Sequence, residues 1–225
     1  MSRIDEFRKA NPQYKILSID DSAFTEYGVV HHREDLHEIF DVMSKYKIPE
    51  KGMQYIASIP ELEETRAMEG IKRDIFAEIP IDAGVTMGHA DDFTAFEYHQ
   101  CSELNIMLDD VVMVLGKRQT LEEHGSIDPN REAKMFYVPK GTVIELYNDT
   151  LHYAPIQVTT AGYKVIVVVI HGTNAVLPKG MKSDNPRVVK KGKFQVVHAC
   201  RKDKIAQGYQ VAITGDVIKT KPLES

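Results

Sequence analysis

From about residue 90 onward the sequence falls into short runs of apolar or alternating residues, each closed by turn formers. These are FTAFEYH, ELNIML, VVMVLG, MFYVP, TVIELY, APIQV, YKVIVVVI, FQVVHA and YQVAITG. Runs of this length, rich in β-branched and aromatic residues, read as strands. Parallel strands need crossover connections of a dozen or more residues, usually helical, and little of that pattern lies between these runs. The expected fold is therefore mainly β, an antiparallel sandwich or barrel.

The chain has a different character before residue 85. In DLHEIFDVMSKY, Leu36, Ile39, Phe40 and Met43 recur at helical spacing, and a second helix is expected after Pro60, where Glu61, Glu63 and Glu64 suit the first-turn dipole. The expected organisation is an N-terminal helical and extended segment, 1–80, packed on a barrel formed by 81–225, within one domain. A formal net charge of −5 argues against a phosphate-backbone binder, so no nucleic-acid partner is expected. VIVVVI is far shorter than the roughly 18 apolar residues of a membrane span, and the first residues carry no apolar signal core. Two cysteines, Cys101 and Cys200, form no CxxC pair and no disulfide framework, which suits a reducing cytoplasm. The basic stretch 177–193, LPKGMKSDNPRVVKKGK, reads as a solvated surface loop.

Chemistry concentrates in FEYHQCSELNI. Side chains alternate across a strand, so Glu97 and His99 share one face; after a turn, Glu103, Asn105 and Met107 share a face of the next strand. Folding those strands together can point Glu97, His99 and Glu103 into one barrel mouth, with His152 in NDTLHYAP the best distant fourth ligand. Two carboxylates and two imidazoles suit Mn, Zn, Fe, Co or Ni, and they leave room for an open position.

These residues resemble the two motifs of the cupins, written G-x5-H-x-H-x3,4-E and G-x5-P-x-G-x2-H. Glu97-x-His99-x3-Glu103 is similar to the first with Glu for its leading His; Gly141, Tyr147, Asp149 and His152 follow the second with Tyr and Asp for Pro and Gly. The resemblance implies a cupin double-stranded β-helix, a jelly-roll barrel with N-terminal helices, holding a divalent metal ion at Glu97, His99, Glu103 and His152, with Mn or Zn favoured. More narrowly, EYHQCSELNI, VVMVLGK, VPKGTVIELY, TLHYAPIQV and HGTN resemble a bacterial cupin family once labelled only as a domain of unknown function. That family includes metal-dependent sugar isomerases, notably sulfoquinovose isomerases.

The resemblance implies aldose–ketose isomerisation of a hexose-like sugar, sulfoquinovose to sulfofructose, by proton transfer through a metal-stabilised enediol. Such chemistry needs an electrophile on two oxygens and a base over the carbon plane. Glu145 is the expected base and Lys164, opening an apolar strand, a second catalytic candidate. Tyr147, Asn105, His89 and Arg118 are candidates for binding the substrate, with Lys117, Arg73 and His171 as further cations or imidazoles for an anionic group. Competing readings are a non-haem metal cupin oxygenase or lyase and a non-catalytic sugar-binding cupin. A homodimer or larger homo-oligomer is expected by resemblance.

Overall fold

A computed structural model describes residues 2–181 and 183–225; Met1 and Lys182 lie outside them. Helix α1 (Arg3–Ala10) leads to strands β1 (Ile16–Ser18) and β2 (Gly28–His31), then to α2 (His37–Ser44), β3 (Met53–Ile56), α3 (Pro60–Glu63) and α4 (Arg66–Asp74). The β region follows with β4 (Ile81–Gly88), β5 (Asp92–Phe93), β6 (Ala95–His99), β7 (Glu103–Met107) and β8 (Val111–Lys117). Two short helices, α5 (Arg118–His124) and α6 (Pro129–Glu132), precede β9 (Lys134–Val138), β10 (Val143–Leu146), β11 (Thr150–Leu151), β12 (Ile156–Gln157) and β13 (Tyr163–Ile170). The chain ends through β14 (Val188–Lys190), β15 (Lys193–His198), α7 (Lys202–Ile205), β16 (Gln210–Ile213) and β17 (Ile218–Lys219).

Two sheets make the barrel. One runs β2-β10-β7-β13-β4-β3, antiparallel throughout; the other is built on β1-β9-β8, with β11 and β12 also paired to β8. A third sheet, β14-β15-β16, receives β6 through β15 and carries the metal-ligand candidates of β6 beside the barrel interior. This is the mainly β barrel expected from the strand pattern.

Alternation sorts the apolar residues into an inside and two outsides. Val111, Met113 and Leu115 of β8, Phe136 and Val138 of β9, and Ile144, Leu146 and Val165 meet in one interior cluster. The intervening residues Val112, Val114, Met135 and Tyr137 face outward into a second cluster closed by Phe7 of α1. On the far side, Leu104, Ile106, Ile166 and Val168 pack under Ile39 and Met43 of α2, Leu62 of α3 and Met68 and Ile71 of α4. Both faces of β13 are thus covered, which is why YKVIVVVI has no polar alternation. Burying each large side chain contributes about 1.5–3 kcal/mol.

The helix expected after Pro60 is broken in two. Thr65 leaves the helical path, and its hydroxyl accepts the Met68 N–H at 3.2 Å, starting α4 as a separate capped helix. The first 80 residues also supply strands: β1 runs parallel to β9, β2 edges β10 and β3 edges β4.

Candidate metal centre

Glu97 and His99 lie on the inward face of β6, while Phe96 and Tyr98, between and beside them, pack in the outer cluster. Glu97 is tied directly to His152 through a two-way backbone bridge: the Glu97 N–H donates to the His152 carbonyl at 2.6 Å, and the His152 N–H returns to Glu97 at 2.9 Å. β7 contributes Glu103, opposite the inward Leu146 of β10. All four side chains are buried. Ligand atoms of Glu97, His99 and His152 lie within 4.8 Å of one another. Glu103 joins them, with Oε2 3.3 Å from His99 Nδ1 and Oε1 3.5 Å from His152 Nε2.

Hydrogen-bond accounting shows what this cluster needs. His152 Nδ1 donates to the Thr150 carbonyl at 2.9 Å, so in the neutral ring Nε2 presents its lone pair toward Glu103. His99 Nε2 donates to Asn174 Oδ1 at 3.2 Å, leaving Nδ1 as a lone pair toward the same carboxylate. Both inward nitrogens are buried without a hydrogen-bond partner. Glu103 is oriented in turn by Asn105, whose amide donates to Oε1 at 2.9 Å. Two lone pairs and two carboxylates facing one another, each fixed by an outer partner, form an acceptor-only set that a cation completes. The donors fit a divalent ion of the borderline type.

Without an ion, a proton on His152 takes the cation's place beside Glu103. Burial works against the Glu103 carboxylate, yet His152 and His99 beside it hold its pKa down at about 2. Burial also disfavours a charged His152, but Glu103 outweighs it and raises the imidazole pKa; at His99 burial wins and the pKa falls.

A cavity of about 400 Å³ opens over the cluster. Its wall includes residues that the sequence did not single out. Lys193 Nζ sits 2.5 Å from Glu97 Oε2, an ion pair with side-chain exposures of 15% and 12%. That contact satisfies Glu97 electrostatically even though Oε2 meets no stricter hydrogen-bond geometry. Asn174 orients His99 and donates to the Tyr55 hydroxyl at 3.1 Å. Gln195, Lys190, Arg201, Lys204 and Tyr209 complete the mouth. The stretch read as a solvated loop therefore ends inside the protein: Gly192, at φ +62°, turns β14 back into β15 and sets Lys193 opposite His99. The polar alternation of Lys193 and Gln195 against Phe194 and Val196 was the available signal.

Several expected site residues lie elsewhere. Glu145 pairs in register with the outward Leu104, and its carboxylate meets His31 Nε2 at 3.0 Å; it is on the wrong face of β10 to act as the base. Lys164 alternates outward from Val165, and its ammonium donates to the Met43 and Tyr46 carbonyls at 3.2 Å each, capping the end of α2. Tyr147 and His89 do not line the cavity, and His89 packs against Gly162. Arg118 lies over the Tyr98 ring at 4.6 Å and pairs with Glu122. Of the further candidates, Lys117 is held by Asp149, Arg73 by Asp74 and His171 by Asp82. Asn105 alone of the substrate-binding candidates reaches the cavity. Among the described residues no helix is long and apolar enough to cross a membrane.

A family model described as "Domain of unknown function (DUF4867)" matches residues 16–218. The chain belongs to that family. No curated protein matches this DUF4867 chain. Among solved structures it is similar to an oxalate decarboxylase studied for proton-coupled electron transfer, at 9% identity and a TM-score of 0.35, covering 57% of this chain and 28% of that one. A mutant of Bacillus subtilis oxalate decarboxylase aligns at 10% identity and a TM-score of 0.32, with coverages of 57% and 28%. Fe(II)-HppE with an alternative substrate aligns at 15% identity and a TM-score of 0.29, covering 39% and 41%. The DUF4867 chain thus spans well under half of those chains, and their activities stay theirs; its own strand pairing establishes the barrel.

Proposed function

We propose that the protein is a metal-dependent aldose–ketose isomerase acting on a hexose-like sugar that carries an anionic group, with sulfoquinovose to sulfofructose the leading conversion. The observation that carries the reading is the buried acceptor-only ring of Glu97, His99, Glu103 and His152 at the base of a sugar-sized cavity. These four residues would hold the ion. When bound, it supplies electrophilic polarisation of a carbonyl oxygen.

The chain's own groups do the rest. Glu103 is committed to His99, His152 and Asn105, and Glu97 is gripped on Oε2 by Lys193, so both carboxylates are fixed as ligands and neither is assigned to move the proton between adjacent carbons. The Lys193 ammonium, whose pKa is raised because Glu97 outweighs the cost of its burial, is a fixed donor for a substrate oxygen that gains negative charge. Val165 and Val167 give the cavity an apolar wall that limits water. Lys190 enters no ion pair among the described residues and lines the same cavity; burial lowers its pKa, and an anionic substituent would offset that cost.

The test is NMR in D₂O of metal-stripped and Mn-reconstituted protein with sulfoquinovose, glucose 6-phosphate and lyxose. Mn-dependent ketose formation with solvent deuterium incorporated is the expected result. No conversion of any of the three, with Mn shown to be bound, rejects the isomerase reading. A homodimer or larger assembly in the cytoplasm remains part of this proposal, with the subunit count to be read by light scattering.

A further inference from the structure

Gln195 stands out among the cavity residues because its chemistry is unfinished. The residue is 3% exposed, and its side-chain Nε2 has no hydrogen-bond partner. The register of β15 against β6 places Gln195 opposite Glu97, and directly paired residues of an antiparallel ladder project to the same face. Lys193, two residues earlier, shares that face and reaches Glu97. Gln195 also lines the cavity above the donor ring. A buried amide N–H left unpaired is costly, and buried polar groups in folded proteins nearly always find a partner. The apolar wall nearby, Val165 and Val167, shows that the cavity accommodates hydrocarbon, so a hydrophobic residue at 195 would have met the packing need without that cost.

We infer that Gln195 is a ligand-recognising residue: its side-chain N–H donates to a neutral oxygen, hydroxyl or carbonyl, of a polyhydroxylated substrate lying beside Glu97. The inference deepens the isomerase reading and rests on it for the substrate class. A neutral amide selects an uncharged oxygen, whereas an anionic group is served by the lysines at the mouth. Gln195 and Lys193 then form a two-donor rail along β15, aimed at substrate oxygens on the side of the site away from His152.

The experiment compares wild type with Gln195→Met, which keeps length and removes the donor, and Gln195→Glu, which keeps shape and reverses the polarity. Each is measured for Mn²⁺ affinity by calorimetry, for Tm as the Mn-loaded protein, and for kcat and KM on whichever of the three sugars wild type converts. The expected result for Gln195→Met is Mn²⁺ affinity within about twofold, a Tm unchanged or raised by about 2 °C, and kcat/KM lower by about tenfold, carried mainly by KM. Gln195→Glu is expected to lose at least as much kcat/KM. A Tm fall of several degrees in Gln195→Met, or failure of that variant to fold, shows that the amide is satisfied within the fold and overturns the inference; so does an unchanged kcat/KM. If wild type converts none of the sugars, the isomerase reading fails by itself. The thermal measurement still decides Gln195, since a stable Gln195→Met with intact Mn²⁺ binding sustains a ligand-facing donor and a destabilised one removes it.

Discussion

Lys193 and Glu97 form a buried ion pair across the β6–β15 ladder, 2.5 Å apart, although one residue opens the last strand of a hairpin and the other lies in the first ligand motif. Each charge is tolerable there because the other is present. Removing the lysine strands a buried carboxylate. Breaking such a pair costs about 3–5 kcal/mol, more than the pair itself is worth relative to apolar residues. Metal-free Lys193→Met is therefore expected to unfold at a clearly lower urea midpoint with an unchanged m-value, and Lys193→Arg to lose much less. Equal stability of Lys193→Met and wild type would show that the pair is not formed.

The ligand ring predicts a graded metal response. His152→Ala and His99→Ala each remove a lone pair fixed by an outer partner, and bound Mn or Zn should fall from one equivalent to a small fraction by elemental analysis. Asn174→Ala removes only the group that orients His99, so about 10–100-fold weaker binding with one equivalent still reached is expected. Full-strength binding in Asn174→Ala would mean that His99 does not depend on this partner.

Protons compete for the same nitrogens. Burial opposes protonation of His152, but Glu103 outweighs it, so the metal-free imidazole holds its proton above the ordinary histidine range. Metal binding must expel that proton, so affinity rises with pH through and above neutrality and falls as pH drops below it. Calorimetry at pH 6 and pH 8 should show weaker binding and greater proton release at pH 6. A pH-independent affinity would be inconsistent with His152 as a ligand.

Residues placed outside the cavity make the opposite prediction. Glu145→Gln loses the charge of a partly buried contact with His31 and should leave Mn²⁺ affinity and any sugar conversion within about twofold, with stability changed by about 1 kcal/mol. Lys164→Met removes the donor to the Met43 and Tyr46 carbonyls and should lower stability by about 1 kcal/mol without touching metal binding. A large loss of activity in Glu145→Gln would return that residue to the site.

The sequence by itself determined the mainly β class, because short apolar or alternating runs closed by turn formers leave few other folds open, and it put forward the residues of the donor ring. Alternation alone puts Glu97 with His99 and Glu103 with Asn105, and those pairs converge in the folded chain. It did not determine which face of β10 or β13 is the inside. Those strands are covered on both sides, so an apolar neighbour marks either face, and Glu145 and Lys164 turn out to lie under the helices rather than over the cavity. Only the tertiary structure decided that Lys193 and Gln195 join the site, since their partners come through β6–β15 pairing across nearly half the chain. Asn174 was equally out of reach, because what it does depends on where a turn after β13 comes to rest against His99. Local spacing encodes which residues share a face; which face closes on which is set by long-range pairing and burial, and that is what built the cavity wall.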